Sequence, residues 1–310
     1  MGGALFGLAE QGLALVPVSL LLARSLGLDR IVAVAIIVVG SQAGFSCGVF
    51  NPFTVAVGHK LAELPLYSGK EFRVLGLIIF TAITIWYIAR YIKKIKKNPK
   101  LSIVADLEDD ELIDNIKIKE QDVKLTGKHK AALSVAVLAI VILAYGVSFQ
   151  GWYLMELMYL FFGMAVVAGI VGGSGINKTA EDFVKGAETL TMGALIVGFA
   201  RGIVIVLGDG MILDTIINGL ASLIIVLPEQ ITVLGMYVVQ LIINFFIPSG
   251  SGQAAATLPI MLPLGDMANI TRQTTIVVLE YGNGLTNVIF PTVGICVGAI
   301  GIAKIPFEKW

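Results

Sequence analysis

Two short polar stretches interrupt an otherwise apolar chain. Their residue types bind ions and carboxylates without reacting with them. The first is 248–253, Pro248-Ser249-Gly250-Ser251-Gly252-Gln253. The second is 282–287, Gly282-Asn283-Gly284-Leu285-Thr286-Asn287, closed by Pro291 and Thr292. Irregular backbone in hydrocarbon leaves N–H and C=O groups unpaired at several kcal/mol each, so it persists only where protein or a water-filled cavity surrounds it. Hydroxyl and amide oxygens beside freed carbonyls suit a hard cation such as Na⁺. Helix N–H groups opening after Gly252 would face an anionic carboxylate, helped by a dipole end of about half a positive charge. The expected coupling ion is Na⁺ or H⁺, with no organic cofactor and no structural metal.

The pattern occurs once more, earlier in the chain. Gln11, Pro17, Arg30 and Gly40 stand 242 residues before Gln253, Pro259, Arg272 and Gly282 (253−11, 259−17, 272−30, 282−40). The register slips later, to 239 for Pro52 and Pro291 (291−52). Gln11, Ser46, Asn51 and Thr54 therefore take the roles of the second-half candidates Ser249, Ser251, Gln253, Asn283, Thr286, Asn287 and Thr292. Gly250 and Gly252 serve either a tight reversal or direct binding. Pro52, Gly282, Gly284 and Pro291 are read as structural breaks, the prolines freeing carbonyls. Glu10 and Glu280 are the acidic candidates. Either could carry a proton or balance a cationic substrate, while Glu280 could instead pair with Arg272. Intramembrane Arg201 is a further candidate, against snorkelling or pairing with Asp209. His59 is read as a helix cap.

The elements that must position these residues are membrane helices. The chain has 310 residues, 56% hydrophobic and 14% charged; its mean hydropathy is +0.88. Soluble domains average about 45–50% apolar and about 25% charged. The formal net charge is zero, which gives no support to nucleic-acid binding. Cys47 and Cys296 make neither a disulfide framework nor a metal site. The glycine-rich start carries no basic region of a secretory leader.

In order, a tip at 1–12 leads to a helix at 13–26 and an apolar stretch at 31–39. A polar break is expected from Gly40 to Gly48, ending at Asn51-Pro52. A span at 74–92 ends in Arg90, Lys93, Lys94, Lys96, Lys97 and Lys100, which places that end in the cytoplasm. Residues 95–130 form a solvated cytoplasmic linker. Spans follow at 131–149, 155–171 and 190–207, with a loop at 172–185. Residues 211–226 either cross the membrane or lie in its interface. The interfacial reading makes the two repeats inverted, as alternating access requires. The domains are thus 1–94, an incomplete first repeat; 95–130, the linker; and 131–310, the second repeat. The last holds a re-entrant hairpin at 231–265 and a broken helix at 272–303.

Four stretches carry a family resemblance: 44–58 (GFSCGVFNPFTVAVG), 63–73 (ELPLYSGKEFR), 248–266 (PSGSGQAAATLPIMLPLGD) and 282–292. They resemble the YfcC group of the DcuC-type carriers, the C4-dicarboxylate anaerobic carrier-like family of the ion transporter superfamily. The resemblance implies an elevator-type carrier with two re-entrant hairpins, two broken helices and interfacial arms, whose tips and breaks hold substrate and ion. It implies dicarboxylates, basic amino acids or related carboxylates as substrates. The family's opening scaffold helices and closing helix have no counterpart, so a carrier shortened at both ends is expected.

The expectation is an all-α polytopic membrane protein of the inner cell membrane. It moves a small carboxylate-bearing metabolite by symport or antiport, with lipid and a homodimer mate as further partners. A basic amino acid antiporter of the same fold and a non-transporting remnant stay open. No His-Glu-x-x-His or Gly-x-Ser-x-Gly motif supports an intramembrane enzyme.

Overall fold

The computed structural model describes residues 2–7, 9–107, 126–150, 152, 154–225 and 227–310. Every regular element among the described residues is helical. Contacts divide the chain into two compact units, Met1–Leu107 with Met192–Trp310, and Glu108–Thr191.

The first unit opens with Gly2–Phe6 (α1), a 3₁₀ turn at Glu10–Leu15 and Val16–Ser25 (α2). Pro17 sits in the first turn of α2, where its missing N–H costs nothing. Asp29 caps Arg30–Ser46 (α3) by accepting from Val32 N–H at 3.0 Å. Ile31, Val34, Val38, Gln42 and Phe45 recur every three or four residues along α3 and are all buried, so one face points inward. The helix ends at Ser46. The chain resumes at Pro52–Ala56 as a π-helical turn and continues as Val57–Leu61 (α4). Gly69, at φ +69°, launches Lys70–Lys97 (α5), which is long and apolar enough to cross a membrane.

Beyond α5 the expected solvated linker is partly docked. Tyr91 Oη and Ser102 Oγ both donate to Asp29 Oδ2 at 2.6 Å. Val104 is buried in the α2–α3 core. Lys309 donates to Asp106 and holds that carboxyl below the usual carboxylate range. Residues 108–125 of the expected linker lie outside the described residues.

In the second unit, Thr126 and His129 form a capping box that starts Gly127–Phe149 (α6). α6 packs on Leu154–Val171 (α7). At 1.5 Å per residue the 23 residues of α6 reach about 34 Å, enough for a hydrocarbon core of about 30 Å. Only 172–174 form a turn; from Gly175 the chain is already Gly175–Asp209 (α8), where a loop to 185 was expected. The hydroxyl of Thr179 and the pair Lys178–Asp182, 2.8 Å apart, bond along the helix and satisfy these polar residues locally.

The rest of the first unit is Ile212–Ile225 (α9), Glu229–Phe246 (α10), Gly250–Met267 (α11), Arg272–Thr286 (α12) and Gly294–Ile302 (α13). α9 buries Ile217 and Ile224 against α10 and α11 and exposes Asp214 and Asn218. Its 14 residues span about 21 Å, too short to cross a bilayer. The boundaries share the spacing seen in the sequence. α2 and α11 end at Ser25 and Met267, 242 apart (267−25). α3 and α12 start at Arg30 and Arg272, again 242 apart (272−30). The packing is reciprocal: α11 lies on the π-turn and α4, while the Glu10–Leu15 turn and α2 lie on α13.

Both breaks fall later than the sequence suggested. α3 runs through Gly40 and Gly44 to Ser46, and α12 runs through Gly282 and Gly284 to Thr286. Ser41 Oγ and Ser46 Oγ donate back to Val38 O and Gln42 O, so these polar side chains stay within the helix. The glycines are sites of close approach rather than breaks. A Cβ at Gly282 would lie 2.5 Å from Gln240 Cβ on α10, and one at Gly284 would collide with Ser46 on α3.

Candidate functional site

Three helices each bring a short polar ladder to one buried place. On α10 it is Gln240 and Asn244, four apart. On α11 it is Gln253 and Thr257, also four apart. On α12 it is Glu280, Asn283 and Asn287, at steps of three and four. Such steps put each ladder on a single helix face. Relative exposures of all seven are 6% or less.

The chain leaves helical form at Ile247 and Pro248, and α11 begins under the cap of Ser249, whose Oγ accepts from Gly252 N–H at 3.3 Å. The two limbs are tied across this corner. Gln253 Nε2 donates to Gln240 O and Oε1 at 2.9 and 2.6 Å, and Gln240 Nε2 donates to Thr257 Oγ1 at 3.0 Å. From there the network enters α12. Asn283 Nδ2 donates to Gln253 Oε1 and Asn244 Oδ1, both at 2.8 Å. Asn244 Nδ2 lies 2.8–2.9 Å from Asn283 O, Thr286 Oγ1 and Asn287 Oδ1. Asn287 Nδ2 closes the chain on Gln42 Oε1 of α3 at 3.0 Å. Buried polar groups cost free energy unless paired, and a connected network of this kind fixes one arrangement of the helices.

The first-half break adjoins this network. Asn51 Oδ1 accepts from Phe53 and Thr54 N–H at 2.9 and 3.4 Å, capping the π-turn that Pro52 begins. Thr54 Oγ1 donates to Glu280 Oε1 at 2.8 Å. A Cβ at Gly250 would meet the Thr54 methyl and Phe45, with Asn283 Oδ1 at 3.6 Å, so the tip after Ser249 lies directly on the first break.

The sequence candidates distribute as follows. Gln253, Asn283, Thr286 and Asn287 form the network; Asn51, Thr54, Gly250 and Ser46 border it. Ser251 and Gly252 are half-buried at the start of α11. Thr292 is buried in the second break, its hydroxyl without a partner among the described residues. Pro291 is exposed in the turn beside it. Gln11 stands apart, its Oε1 accepting from Ala9 N–H at 3.0 Å. Asn51 Oδ1 accepts from two backbone N–H groups, and Asn287 Oδ1 accepts from Asn244 Nδ2. Glu280 does not meet Arg272, which binds Asp266 at 3.0 Å and reaches Glu63 at 3.9 Å. His59 is structural, accepting from Tyr67 N–H at 3.1 Å. The side chain of Arg201 lies outside the described residues.

Sequence reading missed Gln42, Gln240, Asn244, Thr257 and Arg73. Gln240 and Asn244 carry a usable signal, two amides four apart inside an apolar limb. Arg73 is fully buried, with Nη2 donating to Ser68 O at 2.7 Å.

The family model described as DcuC, the C4-dicarboxylate anaerobic carrier, matches residues 1–310. The chain belongs to the DcuC family. It is similar to a protein of Escherichia coli (strain K12) named "Putative basic amino acid antiporter YfcC", with 33% identity across all of this chain and 63% of that protein. An uncharacterized protein of Haemophilus influenzae is 30% identical across all of this chain and 61% of its own length. The chain therefore spans less than two thirds of the relatives it matches. No solved structure gives a significant match. Family and helices together make this a membrane protein of a carrier family.

Proposed function

We propose that the chain is the core of a secondary active transporter that carries a small carboxylate-bearing metabolite across the cytoplasmic membrane. The observation that carries this reading is the buried polar network where the tip at 247–249 meets the breaks after Ser46 and Thr286. Polar groups joined across interrupted helices are what a midplane binding site requires. The reading places 229–267 as a re-entrant hairpin, α9 in the interface, and the two matched segments as inverted repeats moving by an elevator mechanism. The N-terminus of α11 receives the substrate carboxylate, and Na⁺ or H⁺ supplies the coupling.

The printed name of the E. coli relative favours amino acids, and the family description favours C4-dicarboxylates; both bear a carboxylate. The multi-pass chain keeps 95–130 in the cytoplasm.

Topology tests the reading. A single cysteine at Leu227, in a background lacking Cys47 and Cys296, should react with an impermeant thiol reagent from the outer face of intact cells. Labelling only from the cytoplasmic face would make the repeats parallel and contradict inverted-repeat alternating access.

A further inference from the structure

One buried carboxylate and one buried guanidinium lie beside the network and are only half used. Glu280 is 1% exposed. Its Oε1 accepts from Thr54, while its Oε2 has no hydrogen-bond partner among the described residues. Asn283, one turn along the same face of α12, has its Nδ2 fully engaged and its Oδ1 unpaired among the described residues. Thr54 joins the two: its hydroxyl holds Glu280, and its methyl borders Gly250 together with Asn283 Oδ1. On the far side, Gly48 leaves room for the carboxylate, since a Cβ there would lie 2.9 Å from Glu280 Oε1.

Arg73 is the opposite charge. It is fully buried, with Nε and Nη1 unpaired and no ion pair to Glu280 among the described residues; a Cβ at Gly76, one turn further along α5, would meet the hydroxyl of Tyr281, the residue next to Glu280. A buried carboxylate with a bare oxygen is costly unless a cation or proton meets it. Two unpaired oxygen acceptors one helical turn apart on the same face of α12 suit a cationic group. Unpaired guanidinium N–H groups nearby receive a carboxylate.

We propose that Glu280 Oε2 and Asn283 Oδ1 form the cation-receiving end of the transport site, taking a monovalent cationic group, either a substrate ammonium or an alkali ion, with Arg73 as the fixed counter-charge. The proposal rests on the carrier reading above and narrows it. An ammonium-bearing amino acid satisfies both charged groups. A dicarboxylate satisfies Arg73 but leaves Glu280 bare unless an alkali ion accompanies it. The bond of Arg73 to Ser68 O uses Nη2 alone and leaves Nε and Nη1 for a ligand.

The test is ligand-induced thermal stabilisation of the purified full chain in detergent. The probes are L-arginine, succinate, and NaCl against choline chloride, on wild type and Glu280→Gln. Glutamine keeps the size of the side chain and an oxygen for Thr54 but removes the charge. The proposal expects arginine or Na⁺ to stabilise wild type. It expects Glu280→Gln to weaken that response at least tenfold in concentration while melting no lower than wild type without ligand. Stabilisation by arginine identifies a cationic group of the amino acid as the cation; stabilisation by Na⁺ alone, with succinate binding enhanced by Na⁺, identifies the alkali ion. A Glu280→Gln protein that responds to the cation like wild type overturns the assignment. A wild type stabilised by succinate but by neither cation overturns it and leaves the carrier reading standing. A wild type that responds to no probe counts against both.

Discussion

Asn244→Ala tests whether the network holds the interrupted helices together. Asn244 uses its whole side-chain amide: the two N–H groups of Nδ2 are shared among Asn283 O, Thr286 Oγ1 and Asn287 Oδ1, and Oδ1 accepts from Asn283. Net side-chain hydrogen bonds inside membrane proteins average about 0.6 kcal/mol, and those in soluble proteins about 1 kcal/mol. Two donated bonds and one accepted bond therefore contribute about 2–3 kcal/mol together. For a chain of this size that corresponds to a fall of roughly 4–10 °C in melting temperature. Asn244→Asp should be worse than alanine. It keeps the acceptor for Asn283 but turns a carboxylate oxygen toward three acceptors, leaving a buried charge without a donor. Melting followed by intrinsic fluorescence in detergent reads both variants, with Asn218→Ala on the exposed face of α9 as the control. An Asn244→Ala protein within 1 °C of wild type, or an aspartate variant more stable than the alanine one, would refute the reasoning.

Gly282→Ala and Gly284→Ala should each be severely destabilising, beyond the usual 1–3 kcal/mol of overpacking, because the new methyl meets α10 in one case and α3 in the other. Gel filtration should show a lost or shifted monodisperse peak; wild-type behaviour would mean the helices do not approach so closely. Asn51→Ala should cost about 1 kcal/mol through loss of the cap on the π-turn, and Asn51→Asp should restore most of it. A melting temperature unchanged by Asn51→Ala, with weakened Na⁺ dependence of ligand binding, would instead make Asn51 an ion ligand.

The starts of the paired helices were legible in the sequence through the 242-residue offset of Arg30 and Arg272, and the structure adds the caps that fix them. Asp29 and Thr271 each precede an apolar run and each cap it, 242 residues apart (271−29). The corner at 247–249 was legible too, since proline and glycine flank a serine. The position of the breaks was not. Gly282 and Gly284 look like helix breakers in a single chain, but their function depends on Gln240 and Ser46, which only the fold brings near. Gln240 and Asn244 were hidden inside an apolar limb whose average hydropathy masks two amides four residues apart. Glu280 was visible as an acid at depth, and of the roles left open for it the pairing with Arg272 does not form. Arg272 looked closer in sequence, whereas Thr54 reaches it from the other half of the chain.

Counterflow in proteoliposomes tests the central claim most directly. Vesicles holding the purified chain and loaded with millimolar L-arginine or succinate are diluted into trace radiolabel of the same compound. The account predicts transient, saturable accumulation of label for at least one of the two, abolished when the vesicles are not preloaded. Accumulation equal to that of protein-free liposomes, from protein that is folded and inserted, would contradict the transporter reading.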